Sequence, residues 1–173
     1  MNTDSTAAMD SAATARAQAG KYLTFKLESE EFGLEILKVQ EIIKMMDITR
    51  VPRTPEFVRG VINLRGKVIP VIELRQKFQM QTKATTDKTC VIVVQVAHGD
   101  GRVTMGIIVD EVSEVLDIHG EQIEPAPEFG TTVDTEFILG MGKVAKKVIM
   151  LLDVDKVLSG TELGGMARMG KAA

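Results

Sequence analysis

Alternation of apolar and polar residues starts at Lys21. Leu23, Phe25 and Leu27 fall on one strand face, Glu28-Ser29-Glu30-Glu31 turns the chain, and Phe32, Leu34 and Ile36 alternate on the next strand. This pattern predicts a hairpin. From Leu37 to Ile43 two periods mix, which predicts one helical turn leading into a short strand. Pro52 and Pro55 make residues 44–56 a loop. Gly60 to Ile72 then reads as two strands joined at Arg65-Gly66-Lys67, where Gly66 can take positive φ without a Cβ clash. Val68, Pro70 and Ile72 lie on one face of the second strand, and Ile69 and Val71 on the other. A half-solvated strand would alternate with polar residues, so this one is covered on both sides. Leu74 to Phe78 forms a short closing helix, and residues 79–88 are a polar linker.

After Thr89 the pattern starts again. Val91 to Val96 is apolar on both faces, His98-Gly99-Asp100-Gly101 is a turn, and Val103 to Val109 is the return strand. At a constant offset of 73, Gly33 meets Gly106, Val39 meets Val112 and Glu41 meets Glu114. Pro55-Glu56-Phe57 is echoed by Pro127-Glu128-Phe129. Beyond an insertion the offset becomes 80. Phe57 to Val61 then meets Phe137 to Met141, Val68 to Ile72 meets Val148 to Leu152, and Asp153 to Leu158 mirrors the first closing helix. Such a repeat means two copies of one small all-β unit. Five short strands per copy, with hairpins and a final helical turn, predict two five-stranded SH3-like barrels in pseudo-twofold tandem. The expected sub-barrels are 21–80 and 89–158 within a domain at 20–158. A disordered tail is expected at 1–19 and a glycine-rich flexible one at 159–173.

The repeat is informative where it fails. Opposite Asn63-Leu64-Arg65-Gly66 stand Lys143-Val144-Ala145-Lys146. A turn needed only for barrel closure would carry its arginine in both copies. The guanidinium of Arg65 holds its charge and offers five donors in a fixed fork. The asymmetry favours a recognition residue over a solvated turn arginine.

Composition narrows the function. The hydrophobic content of 45% with a net charge of −3 reads as a globular chain without the basic footprint of a nucleic-acid binder. Six Phe, one Tyr and no Trp count against an aromatic polyproline groove or a base-stacking platform. The single cysteine, Cys90, cannot form an intramolecular disulfide and reads as a small buried hydrophobe. The N-terminus lacks the pattern of a secretory signal, and no apolar run has the length of a membrane span, so a cytoplasmic protein is expected.

Catalytic patterns are missing. His98 and His119 have no ligand-spaced partner, there is no phosphate-cradling glycine loop, and no nucleophile elbow. Asp110, Glu111 and Glu114 cluster, but the first two stand opposite Leu37 and Lys38, so they read as solvated charges. No enzyme activity and no cofactor are expected. A small-molecule barrel would need convergent polar groups in a pocket, and none is legible.

Glu35-Ile36-Leu37-Lys38-Val39-Gln40-Glu41-Ile42, Pro55-Glu56-Phe57 and Gly60-Val61-Ile62-Asn63-Leu64-Arg65-Gly66 closely resemble the CheW family of bacterial chemotaxis coupling proteins. So do Gly106 to Asp110 and Pro125-Ala126-Pro127-Glu128-Phe129, and the likeness runs in order from about Lys21 to Leu158. The resemblance implies paired SH3-like barrels and a non-enzymatic scaffold linking the cytoplasmic tips of chemoreceptors to the histidine kinase CheA, whose regulatory domain shares the fold. It further implies a chain that is monomeric when free and reaches membrane receptor arrays through its partners, without membrane insertion. An alternative is the same adaptor role in a non-flagellar pathway such as twitching motility. A fragment of a kinase or of a receiver fusion fits less well with two flexible ends.

A receptor tip is a helical hairpin, which calls for a groove with an apolar floor and a polar rim. Ile36, Val39 and Ile42, with Val109 and Val112 opposite, are the expected floor, and Glu41 and Arg65 the rim. The resemblance places Gly60, Asn63, Leu64 and Gly66 at the kinase-contacting surface.

Overall fold

The computed structural model describes residues 19–81, 84–98, 100–125 and 137–158. The expected tails (Ala19 apart) and the echo at Pro127-Glu128-Phe129 lie outside the described residues. The first copy supplies β1 (Gly20–Leu27), β2 (Glu30–Glu35), a 3-10 turn η1 (Ile36–Lys38), β3 (Val39–Lys44), β4 (Val58–Leu64), β5 (Lys67–Glu73) and α1 (Leu74–Lys77). The second supplies β6 (Cys90–His98), β7 (Gly101–Val109), β8 (Glu111–Ile118), η2 (Gly120–Gln122), β9 (Ile123–Glu124), β10 (Ile138–Val144), β11 (Lys147–Leu152) and α2 (Val154–Val157).

The all-β, two-barrel architecture is as the repeat predicts. A five-stranded sheet runs β3-β6-β7-β5-β4 and a six-stranded sheet runs β8-β1-β2-β11-β10-β9. Both close in the same way. The chain leaving edge strand β3 bends across so that the Thr49 amide donates to the Val61 carbonyl at 2.9 Å and the Val61 amide to the Thr49 carbonyl at 2.8 Å. The chain leaving edge strand β8 does the same through β9, which pairs with Met141 and Gly142. The offset of 80 survives in detail. The Glu73 amide donates to the Phe57 carbonyl and the Asp153 amide to the Phe137 carbonyl, both at 2.8 Å.

The sub-barrel boundaries at 21–80 and 89–158 need correction. Each barrel takes one hairpin from the other copy: β6-β7 sits beside β5, and β1-β2 beside β11. The joints are the two parallel pairings, β5 with β7 and β2 with β11. Here the recurring glycines find their reason. A Cβ on Gly33 would lie 2.9 Å from Leu151 Cδ2, and one on Gly106 would lie 2.7 Å from Val91 Cγ1 and 3.3 Å from Val71 Cγ2.

The exchange also explains the doubly apolar strands. Val91 and Val93 of β6 fill the five-stranded barrel, whereas Ile92, Val94 and Val96 turn to a central core shared with the other barrel. Ile149 and Leu151 of β11 fill the six-stranded barrel, while Leu152 joins the centre. Phe25, Phe32, Phe78 and Phe137 stack in series through this core.

Two ion pairs, one per borrowed hairpin, staple the hairpins to their hosts. Arg75 on α1 donates from Nε to Asp110 Oδ1 at 2.7 Å and from Nη2 to Asp110 Oδ2, just past β7. Asp155 on α2 meets Lys38 Nζ at 2.9 Å, just past β2. Arg75 and Asp155 occupy equivalent positions in the repeat with opposite charge. Without the exchange, Arg75 would face Leu37 and Lys38 and Asp155 would face Asp110, and like charges so placed repel. Asp110 is therefore no solvated charge: its side chain is 16% exposed and Arg75 is 2% exposed.

Candidate docking surface

β3 is an edge strand with a register shift between Val39 and Glu41. Along it Val39, Glu41 and Ile43 are half-buried, and Gln40, Ile42 and Lys44 are exposed. Ile43 turns into the five-stranded barrel, and Val39 packs with Ile36 against the shared core. Ile42 stands outward at 45% exposure. β8 is the matching edge of the other sheet, and its Val112 also packs half-buried on the shared core. Ile36, Val39 and Val112 thus meet one core from the two barrels. Val109 is different: it has no exposed surface, so it supports this region from beneath and is not itself open to a partner.

The β4–β5 hairpin carries the polar side. Its two turn residues both take left-handed backbone, φ 53° at Arg65 and 85° at Gly66, as a two-residue hairpin turn of this hand requires. Asn63 Oδ1 accepts from the Gly66 amide at 2.8 Å and fixes the turn. The turn aims Arg65 at Glu41 in a two-pronged pair: Nη1 donates to Oε1 at 3.1 Å, and Nη2 to Oε2. The hydrogen bond from Arg65 holds the Glu41 carboxyl below the usual carboxylate range. The Arg65 side chain is 68% exposed and that of Glu41 26%, so the fork sits on the surface with free donors toward solvent.

The four residues expected at the kinase surface share this hairpin but not one environment. Asn63 and Gly66 are exposed, Leu64 is half-buried against the barrel interior, and Gly60 is buried. Gly60 has φ 143°, and a Cβ there would lie 2.1 Å from the Thr49 carbonyl oxygen, at the bridge that closes the barrel. Gly60 is first of all a closure residue.

Among the described residues, exposed hydrophobics beyond Ile42 include Leu37, Met46, Val115 and Val148. Leu37 on η1 is 92% exposed and Val115 on β8 is 48% exposed. The repeat held the signal for Val115, which stands opposite Ile42 at the offset of 73. Lys77 lies between two other equivalent residues, 4.2 Å from the Phe57 ring centre and 5.7 Å from that of Phe137. Among the described residues no group of three or more His, Cys, Asp or Glu could hold a metal ion, and no helix is long and apolar enough to cross a membrane.

Residues 21–162 match the family model described as CheW-like domain. The chain is 42% identical over 152 residues to "Chemotaxis protein CheW" of Klebsiella aerogenes, covering 88% of this chain and 89% of that one. It is 35% identical over 147 residues to the protein of the same name from Bacillus subtilis, covering 84% and 91%. The crystal structure of the scaffolding protein TtCheW from Thermoanaerobacter tengcongensis superposes with a TM-score of 0.74 at 36% identity, covering 84% of this chain and 92% of that one. With the family's domain spanning both barrels, the chain belongs to the CheW family, the coupling adaptors of chemotaxis signalling.

Proposed function

We propose that this chain links chemoreceptor cytoplasmic tips to the histidine kinase CheA by binding both, performs no catalysis, and reaches receptor arrays at the membrane only through these partners. The observation that carries the reading is the Arg65–Glu41 fork beside the half-buried Ile36, Val39 and Val112. It is a charged rim next to an apolar floor, the combination that a helical hairpin needs. Ile42 extends the floor outward. The kinase contact falls to the exposed part of the β4–β5 hairpin, Asn63 and Gly66, with Leu64 behind it and Gly60 holding the strand in place. No observation favours the twitching-motility alternative, since the relatives described above carry chemotaxis names.

The test is a pull-down on receptor cytoplasmic fragments beside a reconstituted kinase assay, using Arg65→Ala and Val39→Glu with a thermal melt for each. Folded variants that lose receptor binding and kinase activation support the reading. Full coupling by a folded Arg65→Ala protein would remove it.

A further inference from the structure

The fork on one barrel has an open counterpart on the other. Glu41 and Arg65 correspond to Glu114 and Ala145 by the offsets of 73 and 80. Between Glu114 on β8 and Ala145 at the β10–β11 turn lies a cleft of about 410 Å³, also lined by Val112, Val144 and Ile149. The first residue of the turn shares the left-handed backbone of its twin, with φ 55° at Ala145 against 53° at Arg65. At Ala145 there is no side chain to cross to the carboxylate. Glu114 is exposed, and its backbone is anchored to Thr24 Oγ1 by two hydrogen bonds, 2.7 Å from Thr24 and 3.1 Å to it. Its carboxylate has no hydrogen-bond or ion-pair partner among the described residues. Of the remaining ionisable groups of the cleft, Lys147 meets Glu31 at 3.3 Å and Glu111 meets Lys88 at 3.8 Å, and Lys26 also lines it.

We infer that this cleft is a docking site for an arginine of a protein partner, which completes in trans on the second barrel the fork that Arg65 makes in cis on the first. The partner segment presents a guanidinium to Glu114 and an apolar neighbour to Val112 and Val144. Charge and the repeat both point to this occupant: an alanine stands where the first copy carries an arginine, and a carboxylate lines the same cleft. A planar fork matches a carboxylate in a way an ammonium does not. The cleft touches the proposed receptor floor at Val112, but the inference stands on the internal comparison and does not require that reading.

The experiment titrates the 15N-labelled full chain with N-acetyl-arginine amide, following backbone amides by NMR. The expected result is saturable shifts confined to residues 112–116 and 143–147, with half-saturation on the order of 10 mM. N-acetyl-citrulline amide, the same shape without charge, and N-acetyl-lysine amide, charged without the fork, should each bind about tenfold more weakly. Glu114→Gln should lose the response. Ala145→Arg should also lose it, because its own side chain fills the cleft from a turn that already holds arginine backbone geometry at Arg65. Equal shifts with citrulline or lysine, shifts that survive Ala145→Arg, or no response at these residues would each overturn the inference.

Discussion

Removing the Asp110 carboxylate should cost far more stability than removing its repeat partner Asp155. Arg75 has 2% of its side chain exposed and makes four contacts: two to Asp110, one to Glu28 Oε1 at 2.7 Å and one to the Gln81 carbonyl at 2.9 Å. Asp110 also accepts from the Glu28 amide at 2.8 Å. Asp110→Ala leaves a buried guanidinium held by Glu28, itself 55% exposed, and by one carbonyl. Breaking a buried pair from one side costs roughly 3–5 kcal/mol, and the surviving Glu28 contact places this case near 3. Asp155 and Lys38 are each 32% exposed, and Asp155 also accepts from the Ala97 amide at 2.9 Å. That pair contributes about 0–1 kcal/mol and the lost backbone bond about 1 more. In a chain of this size each kcal/mol moves the melting temperature by about 2–4 °C, so the expected losses are roughly 6–12 °C for Asp110→Ala and 2–8 °C for Asp155→Ala. Equilibrium urea unfolding of both variants, with the m-value checked for two-state behaviour, measures the difference directly. Equal destabilisation, or a smaller loss for Asp110→Ala, would refute the assignment of Arg75–Asp110 as the main staple of the exchanged hairpin.

Three further outcomes follow from the same geometry. Arg65→Ala should leave the melting temperature within a few degrees of the parent, because the fork is largely solvated, and lower receptor binding by about tenfold or more once a partner covers Glu41; binding assays beside a melt decide this. Gly60→Ala should destabilise by about 2–4 kcal/mol through the clash with Thr49, so loss of kinase binding in such a variant reports unfolding until a melt shows otherwise. Glu35→Gln should stabilise at neutral pH. Burial, the largest influence on Glu35, raises its folded carboxyl above its unfolded value of 4.5, with Asp153 and Asp155 adding to the rise and Lys38 opposing it. Ionisation therefore costs stability above that range. The variant's advantage should vanish as pH falls below about 4.5, read from urea midpoints across pH.

The repeat made much of this fold legible. The β1–β2 and β4–β5 hairpins, a helical turn before β3, both closing helices and the two-sided burial of β5 and β6 all followed from periodicity, whereas Ile36, expected on the second strand, opens η1. The hairpin exchange did not, and for a physical reason. Equivalent strands carry the same alternation, so exchanged and unexchanged barrels satisfy one hydrophobic pattern. The difference lies in charges at equivalent sites, Arg75 against Asp155, whose partners a one-dimensional comparison does not pair. Arg65 stood out because the repeat broke there, and the structure brings it to Glu41 across 24 residues of sequence. Val109 was misplaced because a strand covered on both faces does not reveal from sequence which apolar residue is left at the surface. Gly60 was read for its neighbourhood, whereas its role in closure depends on Thr49, a loop residue with no pattern of its own.

The central claim is that this chain joins receptor and kinase through a surface organised around Arg65. The most direct measurement is co-sedimentation of purified CheA with receptor-bearing membranes, with and without this chain, alongside kinase activity in the pellet. CheA should sediment and be activated only when the parent chain is present, and folded Arg65→Ala protein should support neither fully. CheA that sediments and activates equally without the chain, or equally with Arg65→Ala, would contradict it.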